Sequence, residues 1–519
     1  MLSQSGLAES AYSKMEGLRH SYLERARDAA RLTIPHLFPD EGHTSSTKFP
    51  TPYQSVGARG VNNLASALLL SLLPPNAPFF RLVLDQAALN EIEAQLNSDQ
   101  LKTQFDASLA KIEKSVVQEI ETKNHRVQIF EALKHLIVAG NVLLNVTEDG
   151  ELRVIHLDRF VVQRCPLGKP RKVIVKEMVV PSMLPEAARD IVLSQKPTGY
   201  EDGVALYTCI ESLPNNQQRI FQEICGVIVP ESEGIVKEDM SPYLVLRMNR
   251  ADGEDYGRGY VEQYIGDLKS LESLMMSVVE ASAAAAKVLF LVSPNGTTRA
   301  RVLSEAPNGG IVEGSAGDVS VLQLNKAADL QVAQTSIQVI SDRLSYAFLL
   351  TDNAIRNAER VTAAEVRLVT QSIERQLGGI YSVLSQEFQL PMVRRLMDLM
   401  SRQKRLPALP SDLVHPLIVT GVEALGRGND LNKMDEFLAG IGQLLGPEVL
   451  GRFVNISEYM TRRAAALGLD SEGLIKSEEE MMAEQQQQQQ QMMLQQMGPA
   501  LAQQFQQQQE NVAPTEEPA

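Results

Sequence analysis

The chain contains no tryptophan, three cysteines in 519 residues, and fewer basic than acidic side chains. Each shortage excludes a class of function. Cys165, Cys209 and Cys225 are odd in number and show no Cys-x-x-Cys spacing, so neither a disulfide framework nor a zinc knuckle is indicated. All three are expected as small core residues. A formal charge of −15 speaks against a protein that grips nucleic acid by neutralising many phosphates, since that needs a basic surface. Weak, passing contact with DNA stays open. The histidines are scattered: His125 and His135 are ten residues apart, and His156 with Asp158 has no third ligand nearby, so no metal site has local sequence support. Long apolar runs are missing too. "LASALLLSLLPP" and "ASAAAAKVLFLV" are too short to cross a membrane, and the second carries Lys287. The start, "MLSQSGLAES", has no basic region followed by an apolar run, so export is not expected, and the Asn-x-Ser/Thr matches at Asn145, Asn295 and Asn455 are read as chance.

Catalytic motifs are also short of parts. "GVEALGRGND" at Gly421 spaces two glycines as a phosphate-binding loop does, but Arg427 stands where the lysine belongs and no Ser or Thr follows. "GSAG" at Gly314 is a turn and not a nucleophile elbow. Asp252, Glu254 and Asp255 in "ADGEDYGRG" lack the alternating oxygens of a calcium loop and are read as a solvated turn with capping roles. No catalytic residue, cofactor or metal ligand is assigned.

What is present is a pattern of periods. "ESAYSKMEGLRHSYLERARDAARLTIP", Leu101 to Asn124, and "HRVQIFEALKHLIVAG" repeat apolar residues at helical spacing. From about Asn141 the period changes to two, and short β-rich runs separated by "EDG", "PLGKP" and "LPNNQ" predict an antiparallel meander. After "DGEDYGRG", Tyr264, Leu268, Leu271, Met275 and Val278 predict a helix with a narrow seam. A short β-like excursion and a second helix, from about Ala328 to Leu350, follow. These predict two helices side by side with a small β-rich head at one end. A long apolar stripe then runs through Val366, Val369, Ile373, Leu377, Ile380, Leu384 and Phe388, begun by a capping box at Thr362 and Glu365 and kinked or ended by Pro391. Few compact monomers need so long a strut. The final forty or so residues, with seven consecutive glutamines from Gln485, lack the apolar content to fold and are expected to be disordered.

Several stretches, in order, resemble one family: the portal, or head-to-tail connector, proteins of short-tailed bacteriophages. The stretches are "TIPHLFPDE", "TPYQSVGARGVNNLASALLLSLLPP", "IFEALKHLIVAGNVLL", "DGEDYGRGYVEQYIGDLKSLESL", "ERVTAAEVR", "LGGIYSVLSQEFQLPMVRRL" and "GVEALGRGNDL", spanning about residues 7 to 475. The resemblance implies an α+β, mainly α, portal-type ring subunit. Its parts would be a wing (1–258), a first stem helix (259–287), a β-containing clip (288–327) and a second stem helix (328–350). A tunnel loop (351–361), a long wing helix with its connection (362–410), a helical crown (411–476) and the Gln-rich tail (477–519) would complete it.

The resemblance further implies a homo-oligomeric, twelvefold ring at one capsid vertex of the virion, assembled in the host bacterial cytoplasm. Double-stranded DNA would pass through it. The implied partners are the terminase large subunit, tail adaptor and tail tube proteins, major capsid and scaffolding proteins, and possible internal core proteins, with no membrane. A channel that moves DNA must avoid deep binding minima, so acidic and polar walls with few basic rings are expected. Arg356 and Arg360 in the tunnel loop and Lys326 at the clip boundary are the basic candidates, and Gln334, Gln338 and Ser341 the polar lining candidates. In a monomer the two arginines would be ordinary surface charges beside Glu359. A nonviral scaffold or adaptor, and a nucleotide-dependent enzyme using the Gly421 region, are the competing readings.

Overall fold

The computed structural model describes residues 6–44, 46–74, 79–84, 99–195, 203–285, 289–322, 327–350, 377, 379–406, 414–418, 438–440 and 459–460. The chain divides into two compact units, Met1–Val422 and Glu423–Ala519. The Gly421 loop, the capping box at Thr362 and the glutamine run lie outside the described residues.

The first unit mixes helices with antiparallel sheet. Helix α1, Leu7–Arg31, buries Tyr12, Arg19, Leu23, Ala26 and Ala30 at helical spacing. Arg19 is tolerated inside because Nη1 donates to the carbonyls of Leu157, Asp158 and Phe160 at 3.1, 2.6 and 3.1 Å. Helix α2 (Val56–Leu72), strand β1 (Phe80–Leu84), and helices α3 (Asp99–Thr122) and α4 (His125–Ala139) follow. Gly140, at φ +75°, stops α4 in the left-handed conformation and turns the chain into β2.

The alternating region forms two sheets where the sequence predicts one meander. Strands β2 (Asn141–Val146) and β3 (Leu152–Ile155) form a hairpin. The second sheet runs β4 (Phe160–Arg164), β5 (Pro170–Val179), β6 (Val204–Leu213), β7 (Gln217–Ile224) and β8 (Val227–Ile228), with β9 (Gly234–Lys237) also on β7. Strand β10, Tyr243–Arg247, then returns to pair with β2 and completes the first sheet. The division has a cause. A 3-10 turn at Leu157–Arg159 redirects the chain between β3 and β4, and β2, buried along nearly all its length, needs cover on both sides. Helix α5, Glu186–Gln195, is inserted between β5 and β6 and packs Ala188 and Val192, together with Leu184 just before it, on Leu206 and Ile224.

The cysteines depart from expectation in part. Cys209 is buried, and burial pushes its thiol up to about 12, but Cys165 and Cys225 are half-exposed in turns. The acidic loop before the next helix also departs from a solvated turn. Asp255 Oδ1 accepts from the Arg164 amide at 2.7 Å, and Tyr256 is buried with its hydroxyl accepting from the Val162 amide. Gly257 exchanges two 2.7 Å hydrogen bonds with the Asn141 side chain, and a Cβ on Gly259 would stand 2.3 Å from the Val138 carbonyl oxygen. Only glycine allows this approach of two backbones.

Beyond that loop come α6 (Ile265–Ala285), β11 (Leu289–Val292), a short helix α7 (Ala300–Glu305), β12 (Val319–Leu322) and α8 (Ala327–Ala347). Strands β11 and β12 pair antiparallel between the two long helices. The strut does not stop at Pro391. A π turn at Ser385–Gln389 precedes helix α9, Leu390–Arg402, in which Pro391 occupies the first turn. The wider turn accommodates the missing N–H and the ring that would clash with a regular α-helix. Leu377, Leu384 and Phe388 of the predicted stripe are buried, whereas Val366, Val369 and Ile373 lie outside the described residues. A last strand, β13 (Val414–Ile418), pairs with β1.

One buried ion pair ties this strut to the first sheet. Arg247 at the end of β10 donates through Nε and Nη2 to Glu387 Oε1 at 3.1 and 3.0 Å, and the arginine side chain is 4% exposed. Glu387→Ala leaves that guanidinium without its counter-charge and is expected to lower stability by roughly 3 kcal/mol in denaturant titration. Replacing both residues by leucine is expected to recover most of the loss.

Candidate subunit interface

Helices α6 and α8 run antiparallel, as the ion pair between Arg343 Nη2, near the end of α8, and Asp267 Oδ1, near the start of α6, requires (2.8 Å). Their roots are locked into the body. Glu272 accepts the amides of Tyr53 and Gln54 at 2.9 and 3.2 Å, fixing α6 to the segment before α2. At the end of α8, Tyr260 donates to the Ala347 carbonyl, and Asn63 Nδ2 donates to the carbonyls of Phe348 and Leu349. These bonds satisfy acceptors that the helix itself leaves open. Phe348 fills the space above Gly60, where a Cβ would meet its ring at 2.6 Å.

Farther from the body the packing changes. Leu268, Leu271 and Leu344 are buried, but no described residue of α6 after Leu271, nor of α8 before Leu344, is buried. Among the described residues, most of the length of the two long helices packs along one seam, through Met275, Ile337 and Ile340. The outer surface is not wholly polar. Val332 and Val339 stand seven residues apart on α8 and are 68 and 55% exposed, and Met276 and Val279 are exposed on α6. Heptad spacing aligns the two on one face, the pattern of a helix that packs against another.

The predicted lining residues fall on this helix. Gln334 and Gln338 are exposed, with Gln338 Nε2 donating to Asp342 Oδ1 at 2.9 Å, and Ser341 is half-buried. Arg356, Arg360 and Lys326 lie outside the described residues. At the far end, Asp318 accepts from the amide and hydroxyl of Thr298 and from the Thr297 hydroxyl, which hold its carboxyl below the usual range and close the β11–β12 loop. Leu291, Val302 and Ile311 are exposed around that loop.

One cluster of metal-ligating composition occurs among the described residues: Glu131, His135 and His156. Sequence reading considered His156 with Asp158 and missed this set. The signal was the four-residue step from Glu131 to His135 on α4, but the third member lies on another element. Burial, and then the neighbouring His156, push the His135 imidazole down to about 3, and burial also lowers His156. Among the described residues no helix is long and apolar enough to cross a membrane.

The described residues thus combine antiparallel sheets with a pair of long helices that exposes apolar Val332 and Val339. The chain belongs to the family of bacteriophage head to tail connecting proteins, whose family model matches residues 5–475. It is similar to the portal protein of Escherichia phage T7, at 38% identity over 486 residues, covering 92% of this chain and 90% of that relative. The portal protein of Enterobacteria phage SP6 is 31% identical over 454 residues, 86% of each chain. A solved structure described as the neck of an empty gene transfer agent particle aligns with 80% of this chain and 91% of its own, at 13% identity and a TM-score of 0.38, too loose a likeness to argue from.

Val339→Glu combined with Val332→Glu places two charges in the apolar face of α8. The variant is expected to remain folded by circular dichroism but to sediment as smaller species than the wild-type assembly.

Proposed function

We propose that the chain is the portal subunit of a short-tailed phage, forming a twelvefold ring at one capsid vertex through which double-stranded DNA is packaged and ejected. The observation that carries this reading is family membership over nearly the whole chain, joined to an apolar face on α8 that a neighbouring copy would cover. In this reading the body of helices and two sheets is the wing, α6 and α8 are the stem, and the β11–β12 region is the clip. Residues 351–361 would correspond to the tunnel loop and 411–476 to the crown, both lying largely outside the described residues.

The physical task is transit without capture. Each phosphate bound by a cation must be released at the next step, so a wall of acidic and polar groups lets a charged rod slide where a basic wall would hold it. A −15 chain repeated around a ring suits that requirement. Gln334, Gln338 and Ser341 would supply polar contact along the stem. Arg356, Arg360 and Lys326 would form sparse basic rings that touch phosphate without trapping it.

No chemical step is required of the chain. The terminase large subunit would supply ATP-driven force from a dock on the clip, where exposed Leu291, Val302 and Ile311 offer apolar contact, and tail adaptor and tail tube proteins would later occupy the same end. Major capsid and scaffolding proteins, and internal core proteins where present, would meet the wing. Assembly would take place in the host bacterial cytoplasm, before the ring is built into the virion.

Arg356→Ala with Arg360→Ala is expected to leave rings intact in negative-stain images while reducing packaged or retained DNA in infected cells. Normal packaging by the double variant would remove these residues from the channel account. ATP hydrolysis by the purified chain, lost on Arg427 substitution, would favour an enzyme instead.

A further inference from the structure

Glu131 and His135 stand one turn apart on α4 and so share a face, and His156 immediately follows β3. The Nε2 atoms of His135 and His156 lie 4.0 and 3.9 Å from Glu131 Oε1, and one potential ligand atom from each residue lies within 4.8 Å of the other two. His135 is fully buried, yet neither of its ring nitrogens has a hydrogen-bond partner. The two imidazoles face each other at 4.3 Å between centroids, and Phe38 closes the inner side of His135 edge-on at 5.1 Å. Buried polar groups with no partner are uncommon, and two on one ring call for an occupant.

We infer that Glu131, His135 and His156 form a binding site for one divalent transition metal of the zinc class. Two imidazoles and a carboxylate are the donor set of zinc, whereas magnesium and calcium take oxygen almost throughout. Zinc bonds of about 2.0–2.2 Å place tetrahedral ligand atoms roughly 3.4 Å apart, so each side chain needs to move by less than about 1 Å to close on the ion. Glu131 and His156 are 41 and 35% exposed at their side chains, which gives the ion an entry path and a water as fourth ligand. The bound metal has a structural role. It joins α4 to the end of β3, next to the Leu157–Arg159 turn whose carbonyls hold Arg19 of α1, and so fixes the point where both sheets and two helices meet. This inference is independent of any role in DNA passage.

The test uses the full-length, untagged protein in its assembled state, stripped of metal with a chelator and titrated with zinc against an indicator dye. About one zinc per chain is expected, accompanied by a higher unfolding temperature. His156→Ala and Glu131→Gln change half-exposed residues and are each expected to weaken zinc binding at least tenfold and to abolish the thermal shift. His43→Ala, in the exposed segment after α1, is the control and is expected to bind as wild type. Since removal of buried His135 can unfold the chain by itself, the two half-exposed ligands decide the matter. Substoichiometric zinc in the wild type, or unchanged affinity in His156→Ala, would overturn the site.

Discussion

Among the described residues, α6 and α8 bury leucines only near their roots and farther out pack along one seam through Met275, Ile337 and Ile340. Their roots are held by buried leucines and by hydrogen bonds from Asn63, Tyr260 and Glu272. Their outer reaches share one seam and expose Val332 and Val339 seven residues apart. Covering that stripe is a requirement that a second copy would meet, because a head-to-tail contact repeated by rotation closes into a ring in which each copy covers the next. Length, direction and exposed stripe then become consequences of one requirement.

That requirement explains how firmly the rest is braced. The base of the helix pair is closely packed: Gly140, Gly257 and Gly259 let two backbones touch, Arg19 gathers three carbonyls, and Arg247 binds Glu387 and the Gly168 carbonyl. The π turn before Pro391 belongs to the same design. It carries Glu387 to Arg247 and Gln389 to the Leu72 carbonyl, closing the end of α2 at 2.6 Å, while the helix continues past a residue that would otherwise break it.

Much of the fold was legible in the sequence because period is set by which face is buried. The helical repeats of α1, α3 and α4 and the change to period two at Asn141 appear where the spacing places them. The split into two sheets was not legible, since alternation says which face a strand buries and not which strand it pairs with. The passage of the helix through Pro391 was hidden for a related reason: a π turn is a tertiary accommodation with no spacing of its own. Cys165 and Cys225 were misjudged because residue type reports the average burial of cysteine, while both sit in turns. Of the candidate lining residues, Gln334 and Gln338 proved exposed and Ser341 half-buried, but which wall they face depends on neighbours that no single chain contains. The Glu131, His135 and His156 cluster escaped notice because its members come from a helix and a strand end that only the fold brings together.

The acidity of the chain fits the same picture, since a conduit for a polyanion works by failing to bind it strongly. Direct electron microscopy of the purified full-length chain tests the central claim, that the subunit is completed by copies of itself. The account predicts closed rings with an axial hole wide enough for duplex DNA and with α8 facing an adjacent subunit through Val332 and Val339. Monomers that stay single and stable at high concentration would contradict it.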